Sequence, residues 1–231
     1  MNPLLRNSEA HVFVKTLDEA VISFEDEHHL DRVLRLDPDD PITVSDGAGN
    51  WVGATWSRDR GLRVTSERFH EAHGPWLTVG VAIPKSDRPE LVVQKLSELG
   101  IDRILLFETA RSVVRWDLDR RHKQLERLGR IRREASMQSR RVYLPTLEFT
   151  TYAQAIEAPG MAIAEPGGRD VIDASVRGIL VGPEGGFDRD ELDFAVPKIS
   201  LGNTVLRVET AAIVAGFALA QWHGDRASSN R

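Results

Sequence analysis

The residues whose types and spacing could do chemistry lie in one stretch near the carboxyl end of this 231-residue chain. Residues 179–181, Ile-Leu-Val, form a short apolar run typical of a buried parallel strand, and Gly-Pro-Glu-Gly-Gly follows at 182–186. The glycines permit positive φ angles and close approach of a ligand to the main chain, while proline fixes one φ. The loop therefore predicts a stiff cradle with few side chains. An ordinary turn between a strand and a helix is the alternative.

The residues around this loop indicate which ligand it would accept. Asp188 and Glu191 have the spacing of a helix capping box, so the loop ends at residue 188. Neither a Walker sequence nor Gly-x-Gly-x-x-Gly occurs at the loop. Glu184 adds a carboxylate, which repels phosphate and attracts an amino group, a ribose hydroxyl or a cation. A positively charged nucleoside without phosphates fits better than ATP.

A second glycine loop follows at once. Residues 199–201 predict a short strand, Gly202 and Asn203 turn the chain, and residues 206–211, Leu-Arg-Val-Glu-Thr-Ala, enter a long apolar helix. Two glycine loops at the ends of neighbouring strands form one crevice. Residues 165–170 follow another predicted strand and are a weaker candidate for a further wall.

The paired loops resemble the signature of the SPOUT-class RNA methyltransferases, and within them the RsmE family, which methylates N3 of a uridine in 16S ribosomal RNA of the small subunit. Residues 94–100, 133–141 and 29–35 are also similar to segments of that family, so the resemblance spans nearly the whole chain. Met137 departs from the family pattern, in which Glu is expected, and no role is carried over to it.

The resemblance implies an α/β fold: a SPOUT-type parallel sheet with a deep trefoil knot around residues 179–211, and a small amino-terminal PUA-like β-barrel. It also implies S-adenosylmethionine (SAM) as cofactor and a homodimer formed through the carboxyl-terminal domain. Nothing in the periodicity predicts a knot. The expected cofactor contacts are Gly182, Pro183, Glu184, Gly185, Gly186, Leu201, Gly202, Leu206, Arg207, Thr210 and Ala211.

Methylation at N3 of uridine sets requirements that particular side chains could meet. The sulfonium methyl needs an in-line nucleophile at close range, and negative charge develops on the base as the N3 proton leaves. Arg207 is our first candidate for stabilising that charge and Arg140 the second, while Glu209 or Glu134 could accept the proton. The alternative is that Arg207 and Glu209 only orient the loop.

Positive charge is concentrated in one segment, although the chain has a net charge of −5. Residues 120–141 carry nine Lys or Arg against two Glu, or 9 − 2 = +7, and their apolar spacing predicts a helix over 118–141. We favour RNA binding there over an ordinary solvated face. The candidates are Arg121, Arg130, Arg132, Arg133, Arg140 and Arg141 on this helix, and His29, Arg32 and Arg35 on a shorter one.

The pattern changes character near residues 71–75, Glu-Ala-His-Gly-Pro, which predict a linker between domains 1–72 and 73–231. Before the linker, strands are predicted at 11–14, 20–24 and 62–65, a hairpin at 41–54 and a short helix at 27–36. After it, predicted strands at 77–83, 104–107, 161–164 and 179–181 alternate with helices, which favours a largely parallel sheet.

Composition excludes several classes of protein. The chain has no cysteine, so it has neither disulfides nor a Cys-based metal site, and the adjacent histidines 28 and 29 rarely converge on one ion. We expect no metal. No apolar run is long enough for a membrane span and no secretory signal opens the chain, so we expect a cytoplasmic protein that acts on 16S ribosomal RNA or the small ribosomal subunit.

Two other functions remain open on the sequence. The first is a non-catalytic RNA-binding ribosome assembly factor, which would bind RNA but not SAM. The second is a nucleotide-dependent enzyme acting on a small metabolite, which the missing phosphate-binding spacings disfavour.

Overall fold

The computed structural model describes residues 1–229 of the chain, with side chains described up to residue 224. The described chain packs as two compact units, residues 1–73 with 133–144, and residues 74–132 with 145–229. The predicted domains 1–72 and 73–231 differ from these units chiefly because residues 133–144 pack with the amino-terminal part. No helix within residues 1–229 is long and apolar enough to cross a membrane.

The first unit is built on a mixed sheet. Strand β1 pairs in parallel with β2, whereas β3 pairs antiparallel with β2, β4 and β5. The predicted hairpin is confirmed as β2 and β3. In chain order the elements are α1 (Pro3–Arg6), β1 (Ala10–Phe13), α2 (Phe24–His28), a π-helical segment (His29–Leu34), β2 (Ile42–Ser45), β3 (Asn50–Ser57), β4 (Gly61–Val64) and β5 (Phe69–His70).

The strand predicted at residues 20–24 is wrong. Ser23 caps α2, because its hydroxyl accepts a hydrogen bond from the Asp26 backbone N–H at 3.2 Å. Ile22 is buried, but Val21 and Phe24 are 77% and 83% exposed, so the apolar run does not enter the sheet. A side-chain cap therefore overrides the strand propensity of this segment.

The second unit contains six strands, all parallel, in the order β11-β9-β10-β6-β7-β8. The predicted parallel sheet is confirmed, and β8 is a strand that the sequence pattern did not predict. The elements are β6 (Thr78–Ala82), α3 (Arg88–Glu98), β7 (Arg103–Phe107), α4 (Leu118–Gln138), β8 (Thr146–Phe149), α5 (Tyr152–Ile156), β9 (Met161–Ala164), β10 (Gly178–Val181), α6 (Arg189–Leu192), β11 (Lys198–Ile199) and α7 (Val208–Ser229).

Helix α7 packs against α3 and against strands β6 and β10. Gly216 makes this packing close, since a Cβ there would lie 2.6 Å from Cδ2 of Leu96. The atoms nearest to that Cβ belong to side chains, with Leu99 and Ile101 beside Leu96. The carboxyl-terminal helix is thereby held against the middle of the sheet.

One histidine is buried in the first unit. His11 is 2% exposed, and its Nδ1 lies 2.8 Å from the Thr43 hydroxyl oxygen. Burial, with lesser contributions from the charges of Arg140 and Arg133, lowers the pKa of His11 to about 4. The imidazole is therefore neutral in the folded protein near neutral pH.

This burial predicts acid sensitivity of the first unit. Because the folded-state pKa of His11 lies below the unfolded value of about 6.5, the unfolded chain binds more protons between the two values. The free energy of unfolding should therefore fall by about 2 kcal/mol as the pH falls from about 7 to about 5. Urea denaturation at both pH values measures it. His11→Asn should flatten this dependence, whereas His28→Asn, at an exposed position, should leave it intact; an unchanged slope in the His11 variant would contradict the assignment.

Candidate functional site

Three loops at the carboxyl ends of β9, β10 and β11 form a cleft of about 460 Å³. Parallel strands place these loops at one edge of the sheet. Of the residues predicted to hold a cofactor, all except Thr210 line the cleft, and Thr210 is exposed on α7. The lining consists of Ala164, Glu165, Pro166, Val181, Gly182, Pro183, Glu184, Gly185, Gly186, Phe187, Ser200, Leu201, Gly202, Thr204, Val205, Leu206, Arg207, Val208 and Ala211.

The glycine loop after β10 is shaped by its neighbours. A Cβ at Gly182 would lie 2.9 Å from the ring of the buried Phe187, so only glycine fits there without a shift. Gly186 has a φ of +70° and donates its N–H to the Pro183 carbonyl at 2.8 Å, which closes a tight turn. Gly182 therefore lacks room for a side chain and Gly186 has a backbone conformation that favours glycine, while Pro183 and Glu184 between them line the cleft.

The predicted capping box is confirmed, and it does more than start a helix. The Asp188 carboxylate accepts from the Glu191 N–H at 3.0 Å, and Glu191 accepts in return from the Asp188 N–H at 2.9 Å. The second oxygen of Glu191 accepts from the Ala110 N–H at 2.8 Å, and Arg111 donates to the Gly185 carbonyl at 3.2 Å. The loop after β7 therefore braces the glycine loop, a contact that no local motif indicated.

The other two loops are joined by a backbone hydrogen bond. The Glu165 N–H donates to the Ile199 carbonyl at 3.0 Å, and the Ser200 hydroxyl donates to the Gly202 carbonyl at 2.9 Å. Thr204 and Val205 are exposed on the rim. Residues 165–170, a weaker candidate on the sequence, contribute Glu165 and Pro166 to the wall, and Ser200 and Thr204 are lining residues that the sequence reasoning missed.

The ionisable groups that line the cleft are two carboxylates and one guanidinium. Burial raises the pKa of the Glu165 carboxyl, and the nearby charge of Lys198 partly offsets that rise. Arg207 is exposed, and within the described part of the chain it forms no ion pair. Such a lining suits a ligand that carries positive charge and hydroxyl groups better than a polyphosphate.

Arg88 is a functional candidate that the sequence reasoning missed. It is the first residue of α3, and its guanidinium lies 3.6 Å from a Glu184 oxygen and 3.5 Å from a Glu209 oxygen. Glu209 itself is absent from the cleft lining; its side chain is 13% exposed. Arg88 therefore connects the glycine loop to the first turn of α7.

Arg140 and Glu134 lie in the first unit, and neither lines the cleft. Arg140 follows the end of α4 with a φ of +58°, and its guanidinium donates to the carbonyls of Ser8 at 2.7 Å and Glu9 at 3.2 Å. Burial lowers its pKa. Glu134 is exposed. The guanidinium of Arg140 thus contacts residues 8 and 9, and its catalytic role stays a prediction.

Helix α4 has the predicted start, but most of its predicted RNA contacts are engaged within the protein. The Arg121 guanidinium donates to the Trp116 carbonyl at 2.8 Å and lies 3.9 Å from the Phe149 ring centroid. Arg132 donates to the Pro145 carbonyl at 2.7 Å. Arg130 is exposed, and Arg141 is half-buried. Of these four, Arg130 is the residue best placed to meet a phosphate.

Arg133, a predicted RNA contact, is engaged within the first unit, and its contact with RNA stays a prediction. Its two terminal nitrogens each lie 2.7 Å from an oxygen of Asp26, which is 4% exposed, and one also donates to the Phe13 carbonyl at 2.9 Å. A bidentate pair with a buried carboxylate uses the planar fork of the guanidinium fully. Within the first unit, Arg133 thus joins residues 133–138 to β1 and α2.

The short-helix candidates are exposed, so their RNA contact stays a prediction. His29, Arg32 and Arg35 are exposed, although Arg32 lies 3.2 Å from an Asp31 oxygen. Arg35 has a φ of +54° and ends the π-helical segment. No cluster of potential metal ligands occurs among the described residues.

Comparisons with known proteins find relatives over most of the chain. A family model described as an RNA methyltransferase domain matches residues 72–220. A Mycobacterium bovis protein named ribosomal RNA small subunit methyltransferase E is 32% identical, over 91% of this chain and 92% of that protein. A Bacillus subtilis protein of the same name is 28% identical, over 86% of this chain and 88% of its own length.

Solved structures share the fold over most of the chain. A Legionella pneumophila protein solved with bound SAM has a TM-score of 0.77 at 25% identity, over 91% of this chain and 96% of its own. A Neisseria gonorrhoeae ribosomal RNA small subunit methyltransferase E bound to SAM has a TM-score of 0.73 at 24% identity, over 92% of this chain and 97% of its own. The likeness therefore covers both units.

Arg130 and Arg133 lie one helical turn apart on α4, and replacing each in turn distinguishes a structural role from an RNA-binding role. Arg133→Ala leaves a buried carboxylate without its partner and should lower the free energy of unfolding by about 3 kcal/mol, measured by urea denaturation. Arg130→Ala should change it by less than about 0.5 kcal/mol. In filter binding to a small-subunit ribosomal RNA transcript, Arg130→Ala should weaken affinity and reduce the salt slope by about 1. Equal stability of the two variants would contradict the role given to Arg133.

Proposed function

Because the chain belongs to the RNA methyltransferase family that includes the ribosomal RNA small subunit methyltransferases E, we propose that it transfers a methyl group from SAM to N3 of a uridine in 16S ribosomal RNA. The observation that carries the proposal is the cleft, in which two glycine loops and two carboxylates converge at one edge of a parallel sheet. The proposed setting is the cytoplasm, with the small ribosomal subunit or its RNA as substrate.

The residues of the cleft fit SAM. The volume of about 460 Å³ accommodates a nucleoside with an amino-acid tail. Gly182, Gly185 and Gly202 present backbone groups, while Leu201, Leu206 and Ala211 supply apolar wall. Glu184 and Glu165 supply negative charge toward a sulfonium, an ammonium or ribose hydroxyls. When bound, SAM supplies an electrophilic methyl group.

Arg207 is the side chain that we propose acts on the target base. It lines the cleft, is exposed, and has no ion pair within the described chain that would compete for its charge. A guanidinium there stabilises the negative charge that develops when uridine loses its N3 proton. Glu209 and Glu134 remain our proposed proton acceptors; Glu209 adjoins the cleft residue Val208 and is held by Arg88.

We further propose the fold details that the family implies. A deep trefoil knot at residues 179–211 is supported by the path of the chain, because β11 lies at the edge of the sheet beyond β9, while α7, which follows it, packs against β10 and β6. A PUA-like RNA-binding role for the first unit is supported by its mixed five-stranded sheet and by the exposed cations of residues 29–35.

A homodimer through the carboxyl-terminal domain completes the proposal. Phe217 is 56% exposed on α7, between the half-buried Val214 and Ala218, so this helix leaves apolar surface uncovered. Replacing Phe217 by Glu should convert a dimer to a monomer, because a charge would be buried at the contact. Sedimentation equilibrium measures the mass, and Arg177→Ala serves as a control at an exposed position. A monomeric native protein, or a dimer that survives Phe217→Glu unchanged, would contradict this interface.

Binding and turnover test the proposed reaction together. Isothermal titration should show SAM binding and no ATP binding. Arg207→Ala should keep SAM affinity within about threefold and lower methyl transfer at saturating SAM by about 10²-fold or more, because one charge-stabilising group is lost. Transfer is measured on small subunits from a strain lacking the enzyme, with the modified base mapped.

Arg177→Ala is the matched control, since this exposed arginine precedes β10 at the end of the strand opposite the cleft. Its turnover should equal that of the native protein. RNA binding without any SAM binding would instead identify a non-catalytic assembly factor. Normal turnover in Arg207→Ala would reject the role of that residue but leave the methyltransferase proposal standing.

A further inference from the structure

The ion pairs of Arg88 join two segments that are far apart in the sequence and adjacent at the cleft. Glu184 belongs to the glycine loop after β10 and lines the cleft, whereas Glu209 belongs to the first turn of α7. Arg88 lies 3.6 Å from the first and 3.5 Å from the second. One guanidinium therefore bridges two of the elements that enclose the cleft.

Helix α3, which begins at Arg88, is firmly packed against the sheet. Arg88 opens this 11-residue helix, and the next residue, Pro89, is buried and occupies an early helical position where its missing N–H costs nothing. Further along, Val92, Val93 and Leu96 of α3 are fully buried. The backbone of Arg88 is thus fixed to the body of the sheet, and its side chain holds the two more exposed segments.

Burial makes these pairs more than a surface contact. The side chains of Arg88, Glu184 and Glu209 are 32%, 33% and 13% exposed. One Glu209 oxygen is buried and accepts no hydrogen bond from the described residues, so Arg88 is the group that offsets the charge of this carboxylate. Without Arg88, the carboxylates of Glu184 and Glu209 would lose their common cation.

We infer that Arg88 is a positioning residue for the cofactor cleft, which holds the glycine loop and the start of α7 at the separation that the cofactor requires. The inference rests on the proposed function for the identity of the cofactor, but not for the mechanical role. Arg88 is absent from the cleft lining, so it acts through Glu184 and Glu209.

This role predicts that replacing Arg88 weakens SAM binding more than it lowers turnover. Loops that must be ordered at the moment of binding weaken affinity, so Arg88→Ala should raise the Kd for SAM about five- to tenfold. At saturating SAM, the loss of kcat should be smaller than the loss of affinity, because Arg88 touches no reacting atom and acts on the proposed proton acceptor Glu209 only through an ion pair. Arg88→Lys should recover part of the affinity, since an ammonium can engage one carboxylate but lacks the fork that reaches two.

The experiment combines hydrogen exchange with calorimetry on the full chain. In Arg88→Ala without ligand, amides of residues 182–187 and 208–211 should exchange faster than in the native protein, while those of β6 and β7 should not. Lys95→Ala is the matched control: it removes the ion pair with Glu98, 2.8 Å apart on the same helix and outside the cleft lining, and should change neither exchange nor SAM affinity.

Coupling between the residues is tested with Glu184→Gln. If Arg88 acts through this carboxylate, Arg88→Ala should cost less SAM affinity in the Glu184→Gln background than in the native one. If Arg88→Ala lowers the Tm by more than about 10 °C, Glu209→Gln, a neutral variant of nearly equal shape, takes its place and should show the same exchange and affinity changes.

The outcomes distinguish this inference from the proposed function. Unchanged exchange and a Kd within twofold of native in Arg88→Ala, or in its substitute, would overturn the inference. Faster exchange in both segments of a protein that binds no SAM even in native form would support the bracing role and reject the cofactor assignment.

Discussion

The site depends on the parallel direction of all six strands in the second unit. Because β9, β10 and β11 run the same way, the segments that follow them leave the sheet at one edge. No single segment then has to enclose a ligand: the three loops share the task and are joined by hydrogen bonds such as Glu165 to Ile199. If one of these strands were reversed, its glycine or carboxylate would lie at the far edge.

Several arginines that could bind RNA or the cofactor make contacts within the protein. Segment 120–141 carries nine basic residues, yet Arg133 holds the buried Asp26, Arg121 is bonded to the Trp116 carbonyl, and Arg127 lies 2.8 Å from Glu90. Arg88 similarly reaches Glu184 and Glu209. An arginine in a dense basic segment is therefore informative about RNA only after its intramolecular partners are known.

Much of the site could be predicted from the sequence, because its determinants are local. Gly182 and Gly186 mark backbone conformations, and Asp188 with Glu191 marks a cap, so a few adjacent residues suffice. Partners distant in sequence could not be predicted. Asp26 meets Arg133 across 107 positions, and Glu191 reaches Ala110 across 81. The wrongly predicted strand at residues 20–24 has a local cause instead of a distant one. Its apolar residues favour a strand, but Ser23 caps α2 and starts a helix.

The amino-terminal unit is built from two separate segments of the chain, which affects how it can fold during synthesis on the ribosome. Residues 133–144 supply Arg133 to Asp26, Met137 to the apolar core around β1 and β2, and the Val142 carbonyl to the Ser45 hydroxyl at 2.9 Å. Although its strands are synthesised first, the unit lacks these partners until residue 144 has emerged. Strands β1 to β5 therefore remain incompletely packed until a segment made after them has been synthesised, so this unit cannot finish folding in order of synthesis.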